Sequence, residues 1–522
     1  MRIVLTLALI ILPFGLTTTA QDSRINTLKS EVTQKVEDNK KMVQEIVDSL
    51  FSYSELGFQE YETQRYIGDL LEKNDFDVEK GVAGLPSGWW ATWGSGHPVI
   101  ALGTDVDGIP KASQKPGVAY KDPLIEGAPG HGEGHNSGMA VIITAALALQ
   151  DVMKRDNIPG TIVIWPGIAE ELLAGKAFFT REGKFDDVDA VLFTHVGSSS
   201  SVSWGQARGT GLISVEYTFK GESSHSAGAP WRGKSALDAV ELMNAGWNAR
   251  REHLHPLQRS HYIISDGGDQ PNVVPQTASV WYYIREMTAE NILENYDKLN
   301  KTADGAALMT DTTVSHRVVG GAWPRHYNRP MAEAVQNNIE SIGMPAWDEK
   351  DQTFAKAVQV LADNEQTGLN TEVSEIRAPS EYPVSGGSDD IGDISWLVPT
   401  ITYNYPANIA DLGGHNWRNT IAMATPVAHK GSVVGAKVIA QTMVDLLLKP
   451  ELLEEAHKYF NDVQLAETTY VPFLSATEKP AIEKNVGIMS TFKPQLKEFY
   501  YDADKYDTYL EQLGITYPTL PE

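Results

Sequence analysis

Four short polar clusters concentrate histidine and glutamate, which bind divalent metal ions where cysteine is absent. The chain has 522 residues, of which 13 are histidine and none is cysteine. Thiolate nucleophiles, disulfides and cysteine-bound metals are therefore excluded. The clusters are HGEGHN at 131–136, AEE at 169–171, THVG at 194–197 and GGHNW at 413–417. Together they offer the carboxylate and imidazole donors that two hard-to-borderline divalent ions need.

The adjacent residues Glu170 and Glu171 can serve two different roles in a hydrolytic site. One can bind metal while its neighbour points elsewhere and acts as a general base on water. In the first cluster, glycines at 130, 132 and 134 let the backbone turn sharply. Glu133 and His135 can then face one centre.

Each cluster also has an ordinary structural interpretation. A single histidine at a strand end is more often a surface or capping residue than a ligand. The glutamate pair is equally typical of a solvated helix start, and the Gly-His-Gly run is typical of a turn. The spacing alone leaves the choice open, but the joint occurrence of the clusters at successive strand ends favours a metal site.

The clusters follow predicted strands or precede a predicted helix. Apolar runs at 98–102, 161–165 and 190–194 predict buried strands, and the apolar run 138–149 predicts a buried helix. Strands that alternate with helices predict an α/β sheet, whose ligands lie beyond the carboxyl ends of the strands. Ser388, which two aspartates follow, is predicted to cap a helix N-terminus.

The middle of the chain has a different pattern. Residues 212–220 and 279–285 alternate like antiparallel strands, and 235–250 has helical spacing. We therefore predict an inserted βαβ-rich domain of ordinary size, at about 207–327. It divides a catalytic domain into residues 24–206 and 328–447. A helix at 431–447 ends the second part, and residues 448–522 form a C-terminal extension.

The N-terminus and the net charge bear on location and partners. Arg2, the apolar run 3–16 and small residues at 18–20 predict a signal peptide at 1–20 and export to a bacterial periplasm or beyond. An N-terminal membrane anchor is the alternative, and no later stretch is predicted to span a membrane. The formal net charge of −25 argues against nucleic-acid and anionic-membrane partners.

The order of these motifs resembles the di-metal aminoacylase and glutamate-carboxypeptidase family of metallopeptidases, closest to the p-aminobenzoyl-glutamate hydrolases. The resemblance covers roughly residues 30–445. The matching segments are 54–60, 105–110, 130–136, 169–171, 194–195, 225–227, 272–275 with Arg285, 387–390, 414–415 and 426–431. It implies a phosphorylase/hydrolase-like catalytic domain, with helices on both faces of a mixed sheet, and an inserted α+β dimerisation or lid domain.

The resemblance also implies roles for individual residues. Glu170 would be the general base, and Asp107 would orient a ligand imidazole. His225, on the lid, would approach the partner subunit's site and stabilise the oxyanion. Asn272 and Arg285 would hold the substrate's terminal carboxylate. The metal ligands would be His135, Glu171, His195 and His415, with Glu133 as the fifth.

Glu133 stands where the subgroup usually has cysteine. A carboxylate can also bridge two cations, and it favours harder ions such as manganese. We therefore expect two divalent ions, zinc or manganese. The alternative is a reshaped site that holds one metal ion or none.

The implied activity is hydrolysis of an amide bond next to a free carboxylate, in a small-molecule substrate, by a homodimer. One alternative is an exported dipeptidase or aminoacylase of the same chemistry. Another, from a different class, is a non-catalytic binding protein with a degenerate metal site.

Overall fold

The computed structural model of the chain describes residues 14–206, 209–380 and 386–522. Of the signal peptide predicted at 1–20, residues 1–13 and all side chains lie outside this description, so that interpretation stays a prediction.

Within the described residues, thirteen strands form three sheets. The strands are β1 (Asp77–Lys80), β2 (Trp89–Ser95), β3 (Val99–Asp105), β4 (Gly160–Gly167), β5 (Ala190–Gly197), β6 (Ser201–Val202), β7 (Gly205–Gln206), β8 (Gly211–Lys220), β9 (Arg259–Asp266), β10 (Thr277–Glu286), β11 (Thr313–Ala322), β12 (His326–Tyr327) and β13 (Thr400–Pro406).

The α-helices of the described residues are α1 (Phe14–Asp38), α2 (Lys40–Tyr53), α3 (Tyr61–Lys73), α4 (Gly138–Asp156), α5 (Lys176–Arg181), α6 (Ala236–Arg250), α7 (Ala289–Thr310), α8 (Arg329–Ile342), α9 (Glu349–Leu361), α10 (Ile391–Ser395), α11 (Trp417–Thr420), α12 (Pro426–Leu448), α13 (Pro450–Tyr459), α14 (Val486–Leu496) and α15 (Tyr509–Gln512).

The large sheet has seven strands in the order β1-β2-β4-β3-β5-β13-β6. Strands β4, β3, β5 and β13 are parallel neighbours, whereas β1, β2 and β6 pair antiparallel. Every residue of β3 and β4 is buried, which explains why both segments are continuous apolar runs instead of alternating ones. Helices α4, α8 and α12 pack against this sheet. The predicted mixed α/β sheet is confirmed.

A second sheet of four antiparallel strands, in the order β11-β8-β10-β9, forms a separate layer with α6 and α7. Strand β10 alternates buried and partly exposed residues, the pattern of a sheet that packs on one face. The separate α+β domain is therefore confirmed. Its four strands lie between Gly211 and Ala322, and the proposed boundaries at 207 and 327 stay a prediction.

Among the residues that the structure describes, two helices are long and apolar enough to cross a membrane by length and composition, contrary to the prediction that no later stretch would be. They span 135–156, which includes α4, and Pro426–Leu448, which is α12. In the fold, 89% and 83% of their apolar windows are buried, and the two helices pack against each other. Their apolar character therefore belongs to the core of the catalytic domain.

The C-terminal extension crosses from one domain to the other. Phe473 stacks on Trp323 at the end of the second sheet, and Lys484 pairs with Glu216 on β8 at 2.9 Å. Further along, Tyr509 packs against Phe51 of α2. The extension therefore ties the small domain to the catalytic domain.

Candidate metal centre

Four parallel strands bring the predicted clusters together. Strands β4, β3, β5 and β13 are adjacent, so their carboxyl ends meet at one edge of the sheet. Asp107 and Glu171 follow β3 and β4, His195 lies near the end of β5, and His415 follows β13. His135 comes from the turn before α4. Gly138 allows that helix to approach β3, since a Cβ there would lie 1.8 Å from Thr104 Oγ1.

Five predicted ligands meet at this edge, and we call them the donor cluster: Glu133, His135, Glu171, His195 and His415. The Nε2 atoms of His135 and His195 lie 3.2 Å apart. Glu133 Oε2 lies 3.3 Å from His135 Nε2 and 3.5 Å from His195 Nε2, and its other oxygen pairs with His415. His415 Nε2 lies 3.6 Å from Glu171 Oε2. The two oxygens of Glu133 thus face different imidazoles.

Backbone carbonyls orient two of these imidazoles. Nδ1 of His135 lies 3.1 Å from the Asp107 carbonyl oxygen, and Nδ1 of His195 lies 2.8 Å from the Val196 carbonyl oxygen. A carbonyl only accepts, so each Nδ1 donates, and in the neutral ring each Nε2 keeps its lone pair. Two nitrogens on one tetrahedral zinc ion lie about 3.3 Å apart, close to their observed separation.

Unpartnered carboxylate oxygens also face this region. Glu171 Oε1, Asp107 Oδ1 and Asp105 Oδ2 are buried, and none accepts a hydrogen bond from any residue that the structure describes. His135 Nδ1 lies 3.9 Å from the first of these oxygens and 3.6 Å from the second, beyond hydrogen-bond distance. Buried carboxylate oxygens without a donor are costly, and a cation satisfies them. The donor set therefore fits divalent metal ions, by both the imidazole geometry and the unpartnered oxygens.

The carboxyl groups of the centre have shifted pKa values. Burial, and then the charge of Glu133, raises the pKa of Glu171 to about 8. Burial opposes ionisation of Glu133, yet the surrounding imidazoles hold the pKa of its carboxyl well below its usual range. The hydrogen bond that His415 makes with Glu133 raises the pKa of His415 to about 9. The pKa of Glu170 lies well above its usual range because of burial and the charges of Asp105 and Asp389.

A buried ammonium group lies beside the donor cluster. Lys176 Nζ is 2.5 Å from Asp105 Oδ1, 2.5 Å from Asp390 Oδ1 and 3.5 Å from Asp389 Oδ1, and its side chain is 0% exposed. Gly167 makes room for this pair, since a Cβ there would lie 1.9 Å from Asp105 Oδ1. We call Lys176, Asp105, Asp389 and Asp390 the lysine cluster.

A cavity of about 590 Å³ opens beside both clusters. Its wall includes Glu170, which sequence analysis made the general base, together with Glu133 and His195. Two arginines, Arg325 and Arg377, also line it. The volume suits a small-molecule ligand. The remaining lining residues are Ser203, Trp204, Gln206, Tyr327, Ala378, Ser380, Gly387, Ser388, Asp389, Thr402 and Asn404.

The other predicted site residues divide into two groups. Asp107 contacts the centre, since its carboxylate accepts a hydrogen bond from the Glu171 amide at 3.1 Å. Arg285 lies just behind the cavity wall and donates to Ser388 Oγ at 2.7 Å. By contrast, His225 and Asn272 are exposed on paired loops of the small domain, where their hydrogen bonds with other described residues are local.

Several residues at the site were missed by sequence reasoning. In the sequence, Arg325, Arg377 and Lys176 stand outside the four polar clusters. A charged residue that belongs to no motif is usually a solvated surface residue. The one available signal was position, because Lys176 follows the glutamate pair and Arg325 follows the strand that returns from the insertion. Ser388 was predicted as a helix N-cap, but the helix begins at Ile391 with Asp390 as its N-cap residue.

Comparisons with known proteins show which proteins the chain is similar to. Residues 209–307 match the family model M20_dimer, the peptidase dimerisation domain. The chain is 32% identical to one of the p-aminobenzoyl-glutamate hydrolase subunits of Escherichia coli (strain K12), over 83% of this chain and 95% of that protein. It is 26% identical to the Xaa-Arg dipeptidase of Mus musculus, over 85% and 94% of the two chains.

The fold is also similar to a solved structure, an aminobenzoyl-glutamate utilization protein from Klebsiella pneumoniae. The TM-score is 0.52 at 16% identity, over 82% of this chain and 98% of the other. At that identity the similarity concerns the fold alone.

Proposed function

Because the chain belongs to the M20 family of metallopeptidases, we propose that it is a di-metal amidohydrolase that cleaves an amide bond next to a free carboxylate. The substrate would be an N-acyl amino acid of the p-aminobenzoyl-glutamate kind or a small peptide. The observation that carries the proposal is the donor cluster itself, which meets beside a cavity that also contains Glu170.

The donor cluster would hold two divalent ions, zinc or manganese. Glu133 is suited to lie between them, since its two oxygens face different imidazoles. Bound there, the ions would polarise the scissile carbonyl and favour ionisation of water.

Glu170 would move the proton in this reaction. It is buried, lines the cavity and offers a carboxylate oxygen within 4.8 Å of donor atoms of Glu133, His135 and Glu171. Its raised pKa would help it to accept a proton from water and return it to the leaving amine. Nearby cations would bring that pKa back toward the working range.

Arginines at the cavity would favour an anionic substrate once the carboxylates of the donor cluster hold metal ions. Arg325 and Arg377 line the cavity, with Arg325 3.6 Å from the Asp389 carboxylate, and Arg285 lies behind Ser388 in its wall. Guanidinium groups bind carboxylates with paired hydrogen bonds, and they repel a cationic side chain. The arginines therefore favour an acidic amino-acid product over the arginine of an Xaa-Arg dipeptide.

A homodimer would complete the site. Since His225 and Asn272 lie on exposed loops, and their hydrogen bonds among the described residues are local to those loops, we assign them to the site of the other subunit. There His225 would stabilise the oxyanion, and Asn272 would help to hold the terminal carboxylate. Export through the N-terminal segment is also part of the proposal.

Turnover of a substrate panel tests the proposal. The panel contains p-aminobenzoyl-glutamate, acyl-amino acids with acidic, neutral and basic side chains, and dipeptides that end in arginine, each with added manganese or zinc. We expect the highest kcat/KM for the acidic members. Preference for dipeptides would support the dipeptidase alternative. Binding without turnover of any member would support a non-catalytic binding protein.

The variant Arg377→Gln sharpens that test. Loss of one charged hydrogen bond is worth about 1.5–3 kcal/mol, so KM for an acidic substrate should rise roughly tenfold or more. KM for a neutral acyl-amino acid should change little. Equal effects on both substrates would contradict the role of Arg377.

A further inference from the structure

Asp105 connects the donor cluster with the lysine cluster. It is the last residue of β3, and its side chain is 0% exposed. Oδ1 accepts a hydrogen bond from the Lys176 ammonium at 2.5 Å. Oδ2 is buried and receives no hydrogen bond from the described part of the chain. One half of the carboxylate is therefore fixed by a resident cation, and the other half is unsatisfied.

The Asp105 carboxylate lies close to the two oriented imidazoles. Asp105, His135 and His195 each offer one donor atom, and these three atoms lie within 4.8 Å of one another. Both imidazoles donate from Nδ1 to backbone carbonyls, which leaves Nε2 for a cation. A carboxylate and two imidazoles that converge in this way are an ordinary donor set for zinc or manganese.

The substitution of glutamate for the usual cysteine makes another oxygen donor useful. Without a thiolate, the site depends on nitrogen and oxygen donors, and harder ions such as manganese take up to six of them. If Glu133 bridges the two ions, the donor cluster supplies only six bonds, an average of three for each ion. Asp105 is held by Lys176 and would add an oxygen with little loss of side-chain freedom.

We propose that Asp105 is a sixth metal-binding residue, which binds through Oδ2 the ion that His135 and His195 share. This inference rests on the proposed di-metal function and deepens it. Lys176 would then be a positioning residue, which holds the other oxygen of the same carboxylate.

Metal binding by purified protein tests the proposal without any assay of turnover. Wild type, Asp105→Asn and Asp390→Asn are each titrated with manganese and with zinc against a chromophoric chelator, and bound metal is counted by elemental analysis. Asp390 is the matched control because it contacts the same Lys176 ammonium at the same 2.5 Å. It belongs to none of the candidate metal-binding groups of the described residues.

We expect wild type and Asp390→Asn to bind two ions with similar affinities. Asp105→Asn should lose one ion or bind it at least tenfold more weakly, since an amide oxygen is a poorer ligand than a carboxylate. Wild-type stoichiometry and affinity in Asp105→Asn would overturn the inference. Equally weakened metal binding in Asp105→Asn and Asp390→Asn would also overturn it. The loss of affinity would then come from the disturbed contact with Lys176 and not from a lost metal ligand.

Two further outcomes keep the test decisive. If Asp105→Asn does not fold, Asp105→Glu replaces it, since glutamate keeps the charge beside Lys176 but displaces the free oxygen by one methylene. Loss of one ion in Asp105→Glu supports direct binding, and retention of both overturns it. If wild type itself binds no ion, the proposed function fails together with this inference, whereas two ions bound with wild-type affinity in every variant defeat the inference alone.

Discussion

Two carboxylate-rich regions lie side by side at the carboxyl edge of the sheet, and they are neutralised in different ways. In the lysine cluster, three buried aspartates surround one ammonium group that belongs to the chain. In the donor cluster, two glutamates meet imidazoles, and one glutamate oxygen has no hydrogen-bond donor among the described residues. A buried charge needs a partner. The first region carries its own cation, whereas the second is built to bind cations from solution.

Glu170 lies between the two regions, because its carboxylate is within 4.8 Å of donor atoms from both of them. Replacing it by glutamine should remove the base and leave the metal donors intact. We expect kcat to fall by about 10²–10⁴-fold, the usual contribution of a general base. Turnover assays and elemental analysis on the same sample check this. The control is Glu222→Gln, at an exposed glutamate that pairs with Lys234, and it should keep wild-type turnover. Unchanged turnover in Glu170→Gln would refute the assigned base.

Lys176→Met asks whether the resident cation is needed for folding. The substitution would leave the three buried aspartates without their ammonium group. We expect the free energy of unfolding to fall by about 3–5 kcal/mol, as for other broken buried ion pairs. Urea unfolding measures it. As control, Lys505→Met removes a lysine that pairs with Asp502 on the surface, and it should leave the free energy of unfolding nearly unchanged. Equal losses would contradict the comparison.

Removal of metal from the donor cluster should lower the stability of the fold, and added metal should restore it. At free metal about 100 times Kd, binding stabilises the fold by about 2.7 kcal/mol. Chelation should therefore lower Tm, and added manganese or zinc should restore it. Glu133→Ala should show a much smaller shift, since it removes the carboxylate that faces three imidazoles. A Tm that does not respond to chelation in wild type would count against bound ions.

A buried carboxyl outside both regions differs from them because its hydrogen-bond partners are neutral. Asp393 accepts from Tyr470 Oη at 2.7 Å and from the Trp323 amide at 3.1 Å. Burial raises its pKa from 3.8 to about 7. The folded state therefore holds a proton that the unfolded state loses. This stability is fully present below pH of about 4 and is lost as pH rises through about 7.

The variant Asp393→Asn tests this difference. Between pH of about 5 and 7, wild type should lose about 1 kcal/mol more per pH unit than the variant. Urea unfolding at several pH values measures both slopes. Parallel slopes would show that Asp393 does not hold the proton.

The sequence allowed prediction of those parts of the site that follow strand ends. Runs such as 161–165 are buried on both faces, so they appear as continuous apolar segments, and the polar residues after them mark the site. The mixed sheet and the separate small domain were predicted in the same way, with help from the resemblance. His415, on an irregular loop beyond β13, lies beside Glu133, and its role as a metal ligand stays a prediction.

The residues that escaped prediction act through long-range packing. Lys176 is buried only because segments ending at Asp105 and Asp390 fold around it, and these lie 71 and 214 residues away. Arg325 and Arg377 meet at one cavity without any periodic pattern that links them. Contacts between such distant charges depend on the completed fold, so local patterns did not identify them.

The central claim is that the donor cluster binds two divalent ions, and direct counting tests it best. Purified wild-type protein is incubated with manganese or zinc, separated from free metal by gel filtration and measured by elemental analysis. We expect two ions per chain. Folded protein that retains no divalent ion from either metal would contradict it.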